Sequence, residues 1–550
     1  MKSTVVITDA PKINYMHNYV SLPYYYGTDR YFSRPDVKAI RETVYASLET
    51  LDRSTGFAER FRGKTVLVKP NLVFMMHNSG YALDDIPQST DPRVFEAVIS
   101  YLAGLKCTIT IVESSGKGAP TMQHFQECGI DRIAKFYGTG LVALEEQPLD
   151  HYLVPKAEVQ KDVYIPRIVS EIIEGKALYV SVPKMKTNLY TGVTLGFKNA
   201  MGMLPGYMRY RNHNYNIEAK LVDMLYLFKP DLTVVDGIIG GEGNTPGPVD
   251  PVKVGMIVTG TNSVEVDRVV TRIMGFDPEN LALMKEAEKR GFGDPEVEII
   301  GTERVVPFRP AESSFLTPRF RRNWPNVRYF VGFTNDRAPK IKDIHAVTPE
   351  MVYEMEGACR GGCLATMSFY MEMLKKARKR PNPKRIAFAA VLGNGVEADG
   401  KRYWFDADGN PYDLEALKKT PVKHMIGCGA CTSPAYGACD IKGGGCCNVS
   451  EFLSMFMRGS GAFPPMFSIE NDMLPAMGID LLRKYFARRK LVKSGELYDI
   501  PYDAVDDRIF AIPELSGADA DRDWIRVPMP KLSKTEIRAA LKATKLLELK

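Results

Sequence analysis

The first 310 residues alternate between short apolar runs and longer stretches in which apolar residues recur every three or four positions. Continuous apolar runs are typical of strands buried on both faces of a parallel sheet, and the longer period is typical of covering helices. The predicted strands are Thr4–Ile7, Thr65–Val68, Thr108–Val112, Ala177–Val182, Leu232–Val235 and Val254–Val258, and helices are predicted at Pro92–Leu105 and Ser263–Met274. The pattern predicts a mostly parallel, doubly wound α/β domain over residues 1–310.

The pattern changes beyond residue 310. Residues 311–343 are rich in Pro, Arg and Asn, which predicts a linker. Residues 344–455 return to an α/β pattern, with a helix predicted over 349–377 and strands over 385–392 and 424–427. Residues 456–550 hold two basic helical segments joined by a Pro- and Asp-rich stretch. We therefore expect a second, smaller α/β domain followed by a partly helical C-terminal extension.

The composition is that of an ordinary globular protein, with 45% hydrophobic and 25% charged residues among 550. A net charge of +6 over this length is too small to indicate a nucleic-acid or membrane partner. The amino-terminal residues lack the apolar segment of a signal peptide, and no apolar run is long enough to span a bilayer. We expect a cytoplasmic protein without nucleic-acid or membrane partners.

Seven of the nine cysteines lie within residues 359–447, in glycine-rich turns such as Cys359-Arg-Gly-Gly-Cys363 and Gly427-Cys428-Gly-Ala-Cys431. Glycine permits the close backbone approach that a metal cluster requires, and clustered cysteines in a reducing compartment are typical of metal ligands or redox groups. The pattern favours an iron–sulfur cluster of the [4Fe–4S] type. Structural zinc and a reactive dithiol are the alternatives, although zinc sites usually show two-residue spacing in both halves.

Polar residues gather where predicted strands of the first domain end. In open α/β sheets the carboxyl ends of parallel strands are where ligands bind. Candidate substrate-binding residues are Asn71, Ser114, Lys184, Lys186, Thr187, Lys198 and Asn199. So many donors favour an anionic carboxylate or phosphate, the alternative being a loop whose lysines face water. Asp236 and Glu242 are candidate catalytic acid/base groups or cation ligands, unless they cap a helix or close a turn.

Five ordered blocks resemble the Domain of Unknown Function 362 family over residues 1–305. They are KPNLV from residue 69, the TDP turn at 90–92, VPKMKTNLYTGVTLGFKNAMG from 182, DLTVVDGIIGGEGNTPGP from 231 and VEVDRVVTRIMGFDP from 264. The resemblance implies an association with iron–sulfur clusters. The family pattern has a histidine where this chain has Asn188, which cannot titrate; His213 is the nearby histidine, and such a residue is more often solvated than functional.

The cysteine segment resembles, more loosely, segments that accompany some members of this family. Partly on that resemblance, the predicted metal ligands are Cys359, Cys363, Cys428 and Cys446, with Cys431 and Cys447 as substitutes. The first functional hypothesis is an iron–sulfur redox enzyme that acts on an anionic small molecule, with an electron-transfer partner. The alternatives are a cofactor-binding or assembly protein with a non-redox cluster, and a transferase or ligase with structural zinc.

Overall fold

The computed structural model describes residues 3–15, 21–73, 80–82, 87–116, 120–247, 249–445, 449–465, 473–498, 515, 517–529 and 531–544. The strands up to residue 300 are β1 (Ser3–Asp9), β2 (Thr65–Pro70), β3 (Thr108–Glu113), β4 (Gly140–Ala143), β5 (Leu149–Leu153), β6 (Asp162–Pro166), β7 (Leu178–Val182), β8 (Lys184–Asn188), β9 (Gly192–Thr194), β10 (Leu232–Glu242), β11 (Asp250–Gly260) and β12 (Val297–Ile300). The helices in this part are α1 (Asp29–Phe32), α2 (Pro35–Thr55), α3 (Phe57–Phe61), α4 (Pro92–Gly104), α5 (Thr121–Cys128), α6 (Ile130–Tyr137), α7 (Arg167–Ile173), α8 (Gly206–Tyr210), α9 (Ile217–Asp223), α10 (Ser263–Ile273) and α11 (Ala282–Lys289). Each strand and helix predicted in this part of the sequence is present, with ends shifted by a few residues.

Ten of these strands form one mixed sheet in the order β12-β1-β11-β10-β7-β2-β3-β4, with β8 and β9 attached beside β10. Strands β10, β7, β2, β3 and β4 run parallel, whereas β11 is antiparallel to both β1 and β10. Both faces are buried: in β2, Val66 and Val68 pack into one hydrophobic cluster and Leu67 into another. Because strand side chains alternate between faces, the continuous apolar runs of the sequence cover both. The α/β class is confirmed.

Local signals in the sequence fix the helix boundaries around this sheet. The α4 helix has Pro92 as its first residue, and the side chain of Asp91 accepts a hydrogen bond from the backbone N of Arg93 at 2.9 Å. Proline suits a first helical position because it lacks the backbone donor that would otherwise be left unpaired, and aspartate is a preferred N-cap. These two signals explain why α4 begins at Pro92.

The second sheet lies in residues 327–443. Its strands are β13 (Val327–Val331), β14 (Phe388–Leu392), β15 (Val396–Ala398), β16 (Lys401–Phe405), β17 (Pro411–Tyr412), β18 (Met425–Cys428) and β19 (Ile441–Gly443), and the associated helices are α12 (Pro318–Asn323), α13 (Pro349–Gly357), α14 (Cys363–Lys376), α15 (Leu414–Lys418) and α16 (Val449–Ser460). The order is β15-β16-β13-β14-β18-β19, with β17 on β16 and a parallel centre. Residues 311–343, expected to be a linker, supply α12 and the central strand β13.

The helix expected over residues 349–377 is divided into α13 and α14. The intervening turn holds Cys359, and at Gly361 a Cβ atom would lie 2.0 Å from the backbone oxygen of Asn214. Only glycine fits such a contact, so this turn packs directly against the first domain. The break places Cys363 as the first residue of α14.

The C-terminal extension packs on the first domain. It contains α17 (Met473–Lys493), α18 (Lys534–Ala543) and β20 (Ile525–Val527), and β20 pairs antiparallel with β5. One large hydrophobic cluster contains Val235 and Val258 from the first sheet, Val331 and Phe388 from the second, and Cys359 between them. The two sheets therefore share a core.

Candidate functional site

A cavity of about 150 Å³ lies beyond the carboxyl ends of β2 and β3. The parallel register of β7, β2 and β3 brings these strand ends side by side, and a 3₁₀ turn over Lys198–Met203 closes the cavity. Its wall includes Asn71, Ser114, Lys186, Lys198 and Asn199 from the predicted set. Five of the seven predicted substrate-binding residues therefore lie around one cavity.

A buried ion pair forms the base of this cavity. Lys69 Nζ lies 2.8 Å from Glu113 Oε2 and also donates to Asn199 Oδ1 at 2.9 Å. The Glu113 carboxylate accepts further hydrogen bonds from the backbone N atoms of Leu72 and Ser114, at 3.0 and 2.8 Å. Burial raises the pKa of Glu113 and lowers the pKa of Lys69, while their mutual attraction opposes both shifts. The pair is neutral overall and adds no net charge to the cavity.

Lys186 and Lys198 line the cavity without an ion-pair partner among the described residues. Lys186 is fully buried and donates to the backbone carbonyl of Gln88. Burial, followed by the positive charges of Lys198 and Lys184, lowers the pKa of Lys186 well below its usual range. Burial and nearby Lys69 lower the pKa of Lys198 to about 8. Burial is the main cause of both shifts, and the charges of neighbouring lysines act in the same direction.

Arg209 is a cavity residue that the sequence reasoning missed. Its guanidinium donates to the backbone oxygen of Ser114 at 2.7 Å, to the Ser114 hydroxyl at 3.1 Å and to the backbone oxygen of Ser115. The available signal was an arginine seven residues after the glycine that ends the lysine-rich block. Four cavity atoms are buried without a hydrogen-bond partner in the described protein: Asn71 Oδ1, Thr194 Oγ1, Arg209 Nε and Thr245 Oγ1. The wall thus presents both acceptors and donors that are not used internally.

The structure places the other predicted residues outside this cavity. Lys184 and Asp236 form a buried ion pair at 2.9 Å, and Asp236 also accepts from the backbone N of Asp91 at 2.7 Å. Thr187 donates to the backbone oxygen of Gly243 at 2.8 Å, and Glu242 accepts from the backbone N of Arg309 at 2.7 Å. Each of these four side chains has an internal structural partner.

His213 connects the cavity to the cysteine turn. Its ring lines the cavity, packs edge-on against Tyr190 and lies 2.9 Å through Nδ1 from the backbone oxygen of Gly361. Burial lowers the pKa of His213 to about 3, so the ring is neutral at physiological pH. Asn188 instead holds a turn, because its Oδ1 accepts from the backbone N of Tyr190 at 2.9 Å. The turn between Cys359 and Cys363 therefore lies next to the cavity wall, although about 170 residues separate this turn from the lysine-rich block in sequence.

Two cysteines of the second domain, Cys359 and Cys363, lie on either side of the Gly361 carbonyl that His213 contacts. Cys359, Cys363 and Cys428 are buried, whereas Cys431 is exposed. Burial, and then the nearby thiols of Cys439, Cys431 and Cys359, raise the pKa of Cys428 well above its usual value. These thiols therefore lie within electrostatic reach of one another.

Glycines leave room beside these sulfur atoms. A Cβ atom on Gly362 would lie 2.7 Å from Cys359 Sγ, and one on Gly429 would lie 3.0 Å from Cys363 Sγ and 3.8 Å from Cys431 Sγ. No group of three or more metal-binding side chains is assembled among the described residues. The predicted ligand Cys446 and the predicted substitute Cys447 lie outside that part of the chain.

A family comparison matches part of the first domain. Residues 66–272 match the family described as Domain of unknown function (DUF362). The DUF362 match includes every residue that lines the cavity and none of the clustered cysteines.

One protein of known name is similar to less than half of the chain. The thylakoid-associated protein sll1697 of Synechocystis sp. (strain ATCC 27184 / PCC 6803 / Kazusa) is 27% identical over 270 residues, which cover 47% of this chain and 78% of that protein. No solved structure matches the chain. Within the described ranges, no helix is long and apolar enough to cross a membrane.

Proposed function

We propose that this chain is an iron–sulfur redox enzyme that acts on a small carboxylate or phosphate bound in the cavity. The observation that carries the proposal is the charge of the cavity wall. Four basic side chains line it (Lys69, Lys186, Lys198 and Arg209), and the only carboxylate among the residues described there is Glu113, which is paired with Lys69. Lys186, Lys198 and Arg209 have no carboxylate partner within the described ranges of the chain.

An anion is the ligand that such a wall favours. Burial of a cation without a partner is unfavourable by several kcal/mol, which is why the pKa values of Lys186 and Lys198 are lowered. A bound carboxylate or phosphate would supply acceptors for Lys198 and Arg209 and would raise both lysine pKa values again. The unpartnered Arg209 Nε provides a further donor. The cavity volume of about 150 Å³ suits a small molecule.

The cysteine turns support the second half of the proposal. Glycine at 362 and 429 keeps the space beside three sulfur atoms clear of side chains. Such space is needed where a cluster is held by thiolates, because its sulfides approach the backbone closely. The proposed ligands are Cys359, Cys363, Cys428 and Cys446, with Cys431 and Cys447 as substitutes. A cluster held there would exchange an electron with a partner protein, and the chain itself would orient the anion beside it.

The contact between His213 and Gly361 joins the anion cavity to the proposed cluster site. The Gly361 carbonyl belongs to the turn between Cys359 and Cys363, and the His213 ring belongs to the anion cavity. A neutral imidazole with a fixed hydrogen bond keeps this turn in register with the cavity wall. In the proposed enzyme, this contact holds the bound anion close to the cluster.

Anaerobic purification followed by metal analysis tests the cluster. We expect iron and acid-labile sulfide, with visible absorbance that dithionite bleaches, and we expect Cys359→Ser to lose both. The matched control is Cys107→Ser, since Cys107 lies in the first domain and contacts the backbone oxygen of Phe61. Stoichiometric zinc without iron would instead support the structural-zinc alternative. Iron that dithionite does not reduce would support the non-redox alternative.

Calorimetric titration with inorganic phosphate and with small carboxylates tests the anion site. We expect Lys198→Met to weaken binding by about tenfold or more, because a hydrogen bond to a charged group contributes about 1.5–3 kcal/mol. Lys253→Met is the matched control, because Lys253 is exposed on β11 away from the cavity. Equal affinity of both variants for every anion tested would refute an anion site here.

The cellular location proposed for this chain is the cytoplasm. The similar Synechocystis protein is named as thylakoid-associated, so membrane and soluble fractions should both be assayed for this chain. Recovery of the chain only with membranes would contradict the proposal.

A further inference from the structure

The lysines in and near the cavity differ in whether a carboxylate is paired with them. Lys69 is paired with Glu113, and Lys184 is paired with Asp236. Lys186 lies two residues after Lys184 in the same strand, yet its only described hydrogen bond is to the backbone carbonyl of Gln88. A carbonyl dipole does not replace a counter-ion. Lys186 is therefore a fully buried amine on a cavity wall, and no salt bridge joins it to a carboxylate in the part of the chain that the structure describes.

The surroundings of Lys186 favour its neutral form. Burial acts first, and the charges of Lys198, Lys184 and Lys69 act in the same direction, which lowers the pKa of Lys186 far below the usual lysine range. A neutral amine has a free electron pair, whereas an ammonium does not. Desolvation and neighbouring cations are the two means by which proteins activate a lysine as a nucleophile.

The groups that surround Lys186 also suit a carbonyl compound that carries a negative charge. Thr194 lies opposite Lys186 in the antiparallel pair of β8 and β9, and its buried hydroxyl has no partner in the described protein. Directly opposed residues in such a pair lie about 5 Å apart at Cβ, so this hydroxyl is next to the lysine stem. Lys198 and Arg209 line the same cavity and can hold a carboxylate. One cavity is therefore lined by a candidate nucleophile, a hydroxyl group and two cations that can bind an anion.

We propose that Lys186 forms an imine with a small 2-oxo carboxylate in this cavity. The inference rests on the proposed anion site and names its substrate class. The Lys186 nitrogen attacks the carbonyl carbon, and one N–H proton moves to the carbonyl oxygen, with the Thr194 hydroxyl placed to relay it. The resulting carbinolamine then loses that oxygen as water, which takes the second N–H proton, and a C=N bond remains. No oxidant or reductant is needed for this step.

Borohydride trapping of the full-length protein tests the proposal, with pyruvate as the probe. Hydride from the added borohydride reduces the imine to a stable secondary amine, which peptide mass spectrometry locates. We expect one equivalent of adduct on the peptide that contains Lys186. Acetone, which lacks the carboxylate, should label this position far less at equal concentration. Lys198→Met should raise the pyruvate concentration for half-labelling by at least about tenfold.

The peptide map of the unmodified chain decides the question even if a Lys186→Met variant does not fold. Adducts confined to exposed lysines such as Lys253, in equal amounts with acetone and pyruvate, would overturn the imine. Phosphate titration of the same sample separates the two proposals. Phosphate binding without an adduct overturns the imine and leaves the anion site standing, whereas loss of both overturns the anion site as well.

Discussion

Replacing Glu113 by glutamine should strongly destabilise the protein, because it removes the charge that neutralises Lys69. Both side chains are almost fully buried, with 1% and 2% of their surface exposed, and their charged atoms lie 2.8 Å apart. Breaking one partner of a buried ion pair typically costs about 3–5 kcal/mol. For a cooperative unit of about 150–250 residues, each kcal/mol lowers the melting temperature by about 2–4 °C. We expect a decrease of at least about 6 °C by calorimetry.

The pH dependence of this decrease has a definite sign. In Glu113→Gln, Lys69 can escape its unpaired charge only by losing a proton, so its folded-state pKa falls further below the unfolded value. Between those two pKa values the unfolded chain binds more protons than the folded chain, and stability rises with pH. The difference in free energy of unfolding between the wild-type protein and Glu113→Gln should therefore decrease as pH is raised from about 7 toward 10.

A matched control comes from an exposed pair. Glu59 lies 3.1 Å from Arg62, but its side chain is 82% exposed, so Glu59→Gln should cost less than about 1 kcal/mol. The double variant Lys69→Met/Glu113→Gln should recover part of the stability lost in Glu113→Gln. Equal melting temperatures for Glu59→Gln and Glu113→Gln, or strict additivity in the double variant, would refute the reasoning.

Three further predictions concern the cavity and the cysteines. Gly202→Ala should weaken phosphate binding and lower the melting temperature, because its Cβ would lie 2.2 Å from Glu113 Oε1 and 2.7 Å from Lys69 Nζ. An unchanged phosphate affinity and an unchanged melting temperature in calorimetry would show that the turn can move to accept the methyl group. Sulfate affinity should fall as pH rises through about 8, where Lys198 loses its charge, and a pH-independent affinity would exclude Lys198 from the site. Removal of metal by a chelator should speed alkylation of Cys431, which is exposed, and equal rates before and after would exclude Cys431 as a ligand.

The fold was largely predictable from the sequence because its central strands are buried on both faces. Such strands leave continuous apolar runs, as in β2 and β7, and these runs need no knowledge of their neighbours. The strand β13 was missed because its short apolar run follows an arginine- and proline-rich segment, and its place beside β14 depends on a pairing about 60 residues away. Local pattern does not contain that pairing.

The site was only partly predictable for the same physical reason. The lysine-rich block identified the right part of the chain, but it could not separate Lys184, which is neutralised by Asp236, from Lys186, which is not. Counter-ions come from other strands, so the charge state of each lysine is a property of the folded protein. Arg209 was overlooked because only the fold brings its guanidinium to the backbone oxygen of Ser114.

The hydrophobic cluster shared by the two sheets has a practical consequence. The change in composition near residue 310 suggests a boundary at which the chain could be divided into two fragments. Side chains from both sides of that point nevertheless pack into one hydrophobic cluster. Either fragment alone would present a large apolar face to water, and such faces promote aggregation. The cysteine-rich part is therefore not expected to fold when it is separated from the first sheet, because the two parts bury their apolar side chains against each other. The two parts are best produced and studied as one polypeptide.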